Sequence, residues 1–202
     1  MLYLSPIIGS VIIVAAKFKM RGRGAVYCKQ NYIMKPTTIR RDYARAKARM
    51  VLHECGISRP PTDLEQICSK LGVKIHYHCT DGLKDSFMYL DRSIYNLVIA
   101  ISGNQARDRW SLAHELGHVV LGHCQIYSVD TLSKDVLTDA ERYILDRECD
   151  IFAEEILMPL AWMEKHKHSS IDQLKKVFGV SKEAVAIRHD NLFGKELISN
   201  KF

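Results

Sequence analysis

From residue 39 onward, hydrophobic and polar positions recur with helix and strand periods that predict a series of short elements. Residues 39–55 set Ala, Val and Leu on one side and Arg and Lys on the other, which predicts a helix that Gly56 stops. Pro60, Pro61 and Thr62 predict a turn, with the N-cap of a second helix over 63–72 that ends at Gly72. Residues 73–78 alternate Val, Ile and Tyr with Lys and His, the pattern of a half-buried strand. Residues 87–90 and 95–101 predict two further strands around a turn at Asp91, Arg92 and Ser93. A helix over 105–122 carries Trp110, Ala113, Leu116, Gly117 and Val120 as a buried stripe. A loop is expected at 124–137 and a long helix at 138–158, closed by Pro159. Short helices at 170–178 and 182–192 flank Gly179, Val180 and Ser181. There is no internal repeat and no low-complexity tract. This order predicts an α+β domain with a small antiparallel sheet.

Charge divides the chain unevenly. The net charge is +6, yet residues 1–41 hold eight Lys and Arg and no acid, which leaves 21 bases against 23 acids in the remainder. The basic character therefore belongs to the N-terminal segment. A near-neutral domain argues against direct nucleic-acid binding, because phosphate contacts need a basic surface. Residues 2–16 are apolar but short of the roughly 20 residues that span a membrane, and Pro6 and Gly9 interrupt them. Three readings stand for this segment: an extension upstream of a start at Met34, a marginal anchor, or a signal peptide. The expected organisation is a 1–33 extension, a 34–160 main domain and a 161–202 helical region packing on it. The domain is expected in the cytoplasm, with membrane contact only through residues 2–16 if they are retained. The six cysteines form no C-x-x-C pair and read as reduced small hydrophobes. His76 and His78 share one strand face without a third partner and read as surface, and His166 and His168 fall in a polar linker.

The chemistry sits at His114-Glu115-Leu116-Gly117-His118. On a helix, residues i and i+4 share one face, so His114 and His118 can converge on one zinc ion. Glu115 then faces the attacking water as general base. A catalytic zinc takes three protein ligands and keeps one open position. A third histidine three turns on is excluded by register, because Leu121 and Cys124 occupy the positions where Gly and His are required. His123 lies nine residues from His114, about 180° around a continuing helix, and is expected to be exposed or capping. A carboxylate from the following long helix is the better candidate.

Residues 145–159 read LDRECDIFAEEILMP. The pentad followed by Asp146, Cys149, Asp150, Phe152, Ala153, Ile156, Leu157, Met158 and Pro159 resembles the ImmA/IrrE family of zinc metallopeptidases over residues 36–192. The resemblance implies a gluzincin-like fold, with the third zinc ligand at the acidic position three before Ala or Cys. The family's usual residue there is Glu, whereas this chain has Asp146, one methylene shorter. Glu148 is the alternative. If Leu145, Cys149, Phe152 and Ile156 form the buried face, Asp146 and Asp150 share one shoulder of the helix. Glu148 falls on the other, in line with Glu141 and Glu155, which reads as a solvent-facing row. This geometry favours Asp146 as ligand, with Asp150 hydrogen-bonding a ligand histidine.

The resemblance further implies a site-specific peptidase acting on a protein, commonly a helix-turn-helix repressor of a phage or mobile element, or a role in stress response. Two other functions stay open. One is a zinc-binding regulator with little hydrolysis, suggested by Asp146 in place of Glu. The other is a DNA-binding module, because residues 174–192 have a helix-turn-helix look.

Overall fold

In the computed structural model, residues 35–79, 85–133 and 135–194 are described. The apolar run 2–16, Met34, Cys28 and residues 195–202 lie outside them. α1 (Arg41–Glu54) turns Ala44, Ala48, Val51 and Leu52 inward at the spacing of a single helix face. α2 (Leu64–Leu71) is capped by Asp63, whose side chain accepts from the Gln66 amide at 2.8 Å. Thr62, expected as the cap, is buried and instead donates to the Ile156 carbonyl at 2.7 Å.

β1 (Lys74–His78), β2 (Phe87–Asp91) and β3 (Ile94–Ala100) form a sheet in the order β1-β3-β2. β2 and β3 pair antiparallel through a two-residue turn, with φ of 46° at Arg92 and 69° at Ser93. Positive φ at both positions matches the right-handed twist of a hairpin. β1 joins β3 in parallel, so the small sheet is mixed rather than wholly antiparallel. The reason is connectivity: β3 inserts between β1 and β2, which are consecutive in the chain and not neighbours in space. As the central strand, β3 buries Asn96, Leu97, Val98 and Ile99.

α3 (Gln105–Val120) starts at Asn104, whose side chain accepts from the amides of Ala106 and Arg107. It ends at Gly122, left-handed with φ 73°, after which a separate short helix begins, α4 (His123–Tyr127). α5 (Asp139–Leu157) opens on a capping box between Thr138 and Glu141, and Leu145, Cys149, Phe152 and Ile156 are fully buried as their period requires. α6 (Leu160–Lys165), α7 (Ile171–Phe178) and α8 (Lys182–Phe193) follow. α4 and α6 were not foreseen because five or six residues are too few to display a helical period.

Two contacts fix α5. On one side α3 crosses it at Gly117, where an added Cβ would lie 3.2 Å from Cys149 Cα, Cys149 Sγ and the Phe152 ring. On the other, α1 and α8 supply cations to acids of α5. Arg188 of α8 is buried, donates to the Met158 carbonyl at 3.1 Å and meets Glu155 at 2.5 Å, while Arg49 of α1 meets Glu155 at 2.7 Å. Arg188 is thereby consumed inside the fold and unavailable to a phosphate backbone. The five described cysteines, Cys55, Cys68, Cys79, Cys124 and Cys149, are free thiols. Among the described residues no helix is long and apolar enough to cross a membrane.

Gly117→Ala is expected to lower stability by about 1–2 kcal/mol, because overpacking against backbone and a fixed core outweighs a gain of about 1 kcal/mol in helix propensity. Urea unfolding measures it, and unchanged or raised stability would contradict the close-packing argument.

Candidate metal centre

α3 carries His114 and His118 one turn apart, with ring centroids 5.2 Å apart and edge to face. Both line a cleft of about 450 Å³ together with Glu115, Asp146 and Asp150. Phe87 and Met88 of β2 form part of its wall. α5 brings its two aspartates to the histidines as the shared shoulder requires. Asp150 Oδ1 lies 3.1 Å from His114 Nδ1, which leaves His114 Nε2 free of that bond. Asp146 Oδ1 stands 3.8 Å from His118 Nε2. Arg147 holds the other oxygen of Asp150 at 2.8 Å.

The opposite shoulder of α5 does not face solvent. Glu148 and Glu155 are 0% and 1% exposed, and of that row Glu141 alone keeps partial exposure. The cause is α1, which packs over this shoulder and was invisible in the periodicity of α5 itself. The Arg40 backbone amide and Nε donate to Glu148 Oε1 at 2.8 and 2.9 Å, and Arg40 Nη2 donates to Oε2 at 2.7 Å. His123 is likewise fully buried rather than exposed. Gly122 breaks the helix, so counting 100° per residue from His114 fails there. His123 Nδ1 lies 2.9 Å from His118 Nδ1, and its Nε2 lies 3.2 Å from Glu148 Oε2. Glu148 therefore stands behind His118, with His123 between them. His123 and Arg40 are site residues that sequence reasoning missed; the glycine before His123 was the available signal. Among the described residues, His114, His118 and Cys149 form a group whose ligand atoms all lie within 4.8 Å of one another. Cys149, read as a core thiol, is 0% exposed, whereas the Asp146 side chain is 47% exposed on the cleft.

Burial sets the electrostatics. It pushes the Glu115 carboxyl up to about 7, against the lowering effect of His114. It also raises Asp146. Burial pulls His114 down, but the hydrogen bond to Asp150 and the charges of Glu115, Asp150 and Asp146 together leave it above the ordinary value. Burial drives His118 well below its ordinary value, helped by His123 and His114. Burial also lowers His123, outweighing its bond to Glu148. Glu148 is held down at about 2: burial opposes this, and the bonds from Arg40 and His123 overcome it.

The family model described as the IrrE N-terminal-like domain, a peptidase family, matches residues 68–190. The chain belongs to this family. The IrrE N-terminal-like match runs from within α2 into α8 and so includes the sheet, the pentad helix and the acidic helix. A solved structure described as a Mycobacterium tuberculosis transcriptional regulator shares the fold, with a TM-score of 0.51 and 19% identity, over 79% of this chain and 49% of that one. The chain thus spans about half the length of that structure. No curated protein matches the chain. The fold is that of a metallopeptidase, and the donors fit a divalent metal. Two imidazoles converge from one helix face, one of them oriented by a carboxylate, with a further carboxylate or thiol at reach.

In the metal-free IrrE N-terminal-like domain the raised Glu115 pKa makes stability depend on pH. The folded state keeps a proton that the unfolded state loses between pH 4.5 and about 7, so wild-type stability falls as pH rises through that window. Glu115→Gln does not titrate. Metal-free Glu115→Gln is expected to match wild type below pH 4.5 and to exceed it by about 3 kcal/mol at pH 8. Parallel stability curves across this range would contradict the buried carboxyl.

Proposed function

We propose that this chain is a zinc-dependent, site-specific peptidase, with His114, His118 and Asp146 as zinc ligands and Glu115 as general base. The observation that carries the reading is that all four side chains line one cleft, with β2 as an edge strand beside it. A catalytic metal must keep a position open to water and substrate. Asp146 is on the cleft side of the histidine pair, whereas Cys149 is sealed in the core and absent from the cleft wall. Glu148 is disfavoured as a ligand, because both of its oxygens bond Arg40. Two imidazoles and a carboxylate suit zinc.

Bound zinc supplies Lewis acidity to the scissile carbonyl and lowers the pKa of the attacking water. Glu115 takes the proton from that water and delivers it to the leaving amine, a role that its place on the cleft beside His114 permits. Asp150 holds His114 in the orientation that leaves Nε2 toward the cleft. The outer edge of β2 can bind an extended peptide. Residues 130 and 131 already pair with part of that edge: the Leu90 amide donates to the Asp130 carbonyl, Thr131 bridges Tyr89, and Thr131 Oγ1 donates to the Met88 carbonyl at 3.4 Å, which leaves the Met88 amide facing the outer edge. Met88 and Ser86 line the cleft and supply that edge.

The substrate is accordingly a protein. The family and the fold shared with a transcriptional regulator favour a gene-regulatory setting, with a helix-turn-helix repressor as the substrate class. The free thiols accord with a cytoplasmic protein. We take residues 34–160 as the catalytic domain and the C-terminal helices as its buttress, through the bond of Arg188 to Glu155. The use of Arg188 inside the fold disfavours α8 as a DNA-recognition helix.

Glu115→Gln is expected to keep its full zinc content and to lose roughly 10²–10⁴-fold in cleavage rate on a repressor substrate. Metal analysis and cleavage followed by mass spectrometry measure both. Unchanged cleavage would overturn the assignment of Glu115, and a wild type that binds zinc and cleaves no repressor would favour the non-hydrolytic regulator.

A further inference from the structure

We propose that Arg40, Glu148 and His123 form a positioning chain that fixes the tautomer of His118 and presents its Nε2 to the metal. The inference rests on the zinc-peptidase reading for its function, and on hydrogen-bond geometry for its form.

Each link follows from which atoms can donate. Glu148 is pinned by Arg40 through the backbone amide, Nε and Nη2, at 2.7–2.9 Å. A carboxylate only accepts, so the His123 Nε2 that faces Glu148 Oε2 at 3.2 Å carries a proton. The negative charge of Glu148 is already matched by the Arg40 guanidinium, and among the described residues no second carboxylate hydrogen-bonds His123, Asp146 reaching it through charge alone. A neutral His123 protonated on Nε2 has a bare Nδ1. That Nδ1 meets His118 Nδ1 at 2.9 Å, and two bare ring nitrogens cannot bond, so His118 carries its proton on Nδ1. The Cys149 thiol, 3.7 Å from the same His123 nitrogen, can donate to it, which agrees with a bare Nδ1. The lone pair of His118 is thereby left on Nε2, the nitrogen that faces Asp146 across the cleft.

The two ligand histidines are therefore oriented by different means. Asp150, partly exposed, bonds His114 directly. His118 is held through a neutral, fully buried imidazole with its anion one residue further back. The arrangement uses Glu148 as an anchor for a positioning residue and not as a metal ligand. It also explains why a fully buried carboxylate sits behind the centre with Arg40 at its back.

The test uses the full chain as wild type, His123→Leu and His123→Asn. Long-range proton–nitrogen correlation spectra of the imidazoles report the tautomers without metal and with zinc. Competition with a chromophoric chelator reports zinc affinity. The expected result is His118 protonated on Nδ1 and His123 on Nε2 in the metal-free wild type, with zinc on His118 Nε2. His123→Leu is expected to bind zinc roughly 10–100-fold more weakly. His123→Asn keeps an acceptor at the Nδ1 position and is expected to recover most of that loss, which a merely space-filling role would not produce. His118 protonated on Nε2, zinc on His118 Nδ1, or a folded His123→Leu that binds zinc as tightly as wild type would overturn the chain. If His123→Leu does not fold, the wild-type tautomers decide. A wild type without zinc affinity would sink the peptidase reading alone, because the tautomers of the metal-free protein still decide this one.

Discussion

The close crossing of α3 over α5 at Gly117 is the constraint on which the rest of the centre depends. With no side chain at that position, the backbone of α3 approaches Cys149 and Phe152 until a single added carbon would stand 3.2 Å from each. His114 and His118 lie three residues before and one residue after the crossing. Asp146 and Asp150 lie at the matching heights on α5. A wider spacing would move both aspartates away from the imidazoles, and the 3.1 Å bond between His114 and Asp150 would open. The apolar stripe that drives the packing and the polar set on the cleft are thus two sides of one contact.

α5 carries acids on both shoulders, and the protein treats them oppositely. Asp146 and Asp150 stay partly exposed on the cleft, where a cation and solvent can reach them. Glu148 and Glu155 are buried and would be costly without partners. Arg40 and Arg49 from one end of the domain and Arg188 from the other supply those partners. The acids of α5 therefore tie α1 and α8 to the helix that holds the centre, and removing Arg40 leaves the buried charge of Glu148 without its cation.

The legible and illegible features of the sequence divide along local and long-range physics. The pentad, the pair Asp146 and Asp150, and the buried row Leu145, Cys149, Phe152 and Ile156 follow from helical period alone, which needs only one element at a time. The burial of Glu148 depends on a helix more than a hundred residues earlier in the chain, and no pattern within α5 records it. His123 was misjudged because its angle was counted through Gly122 as if the helix continued. The mixed sheet was missed for a similar reason: strand order is a tertiary property, and β1 reads the same beside either neighbour.

The central claim is that the third ligand is the carboxylate on the cleft and not the thiol in the core. Zinc content of the full chain, compared between Asp146→Ala and Cys149→Ala, tests it most directly. The account predicts about one zinc per chain in wild type and in Cys149→Ala, and its loss in folded Asp146→Ala. Retention by Asp146→Ala together with loss from Cys149→Ala would contradict it and move the metal out of the cleft into the core.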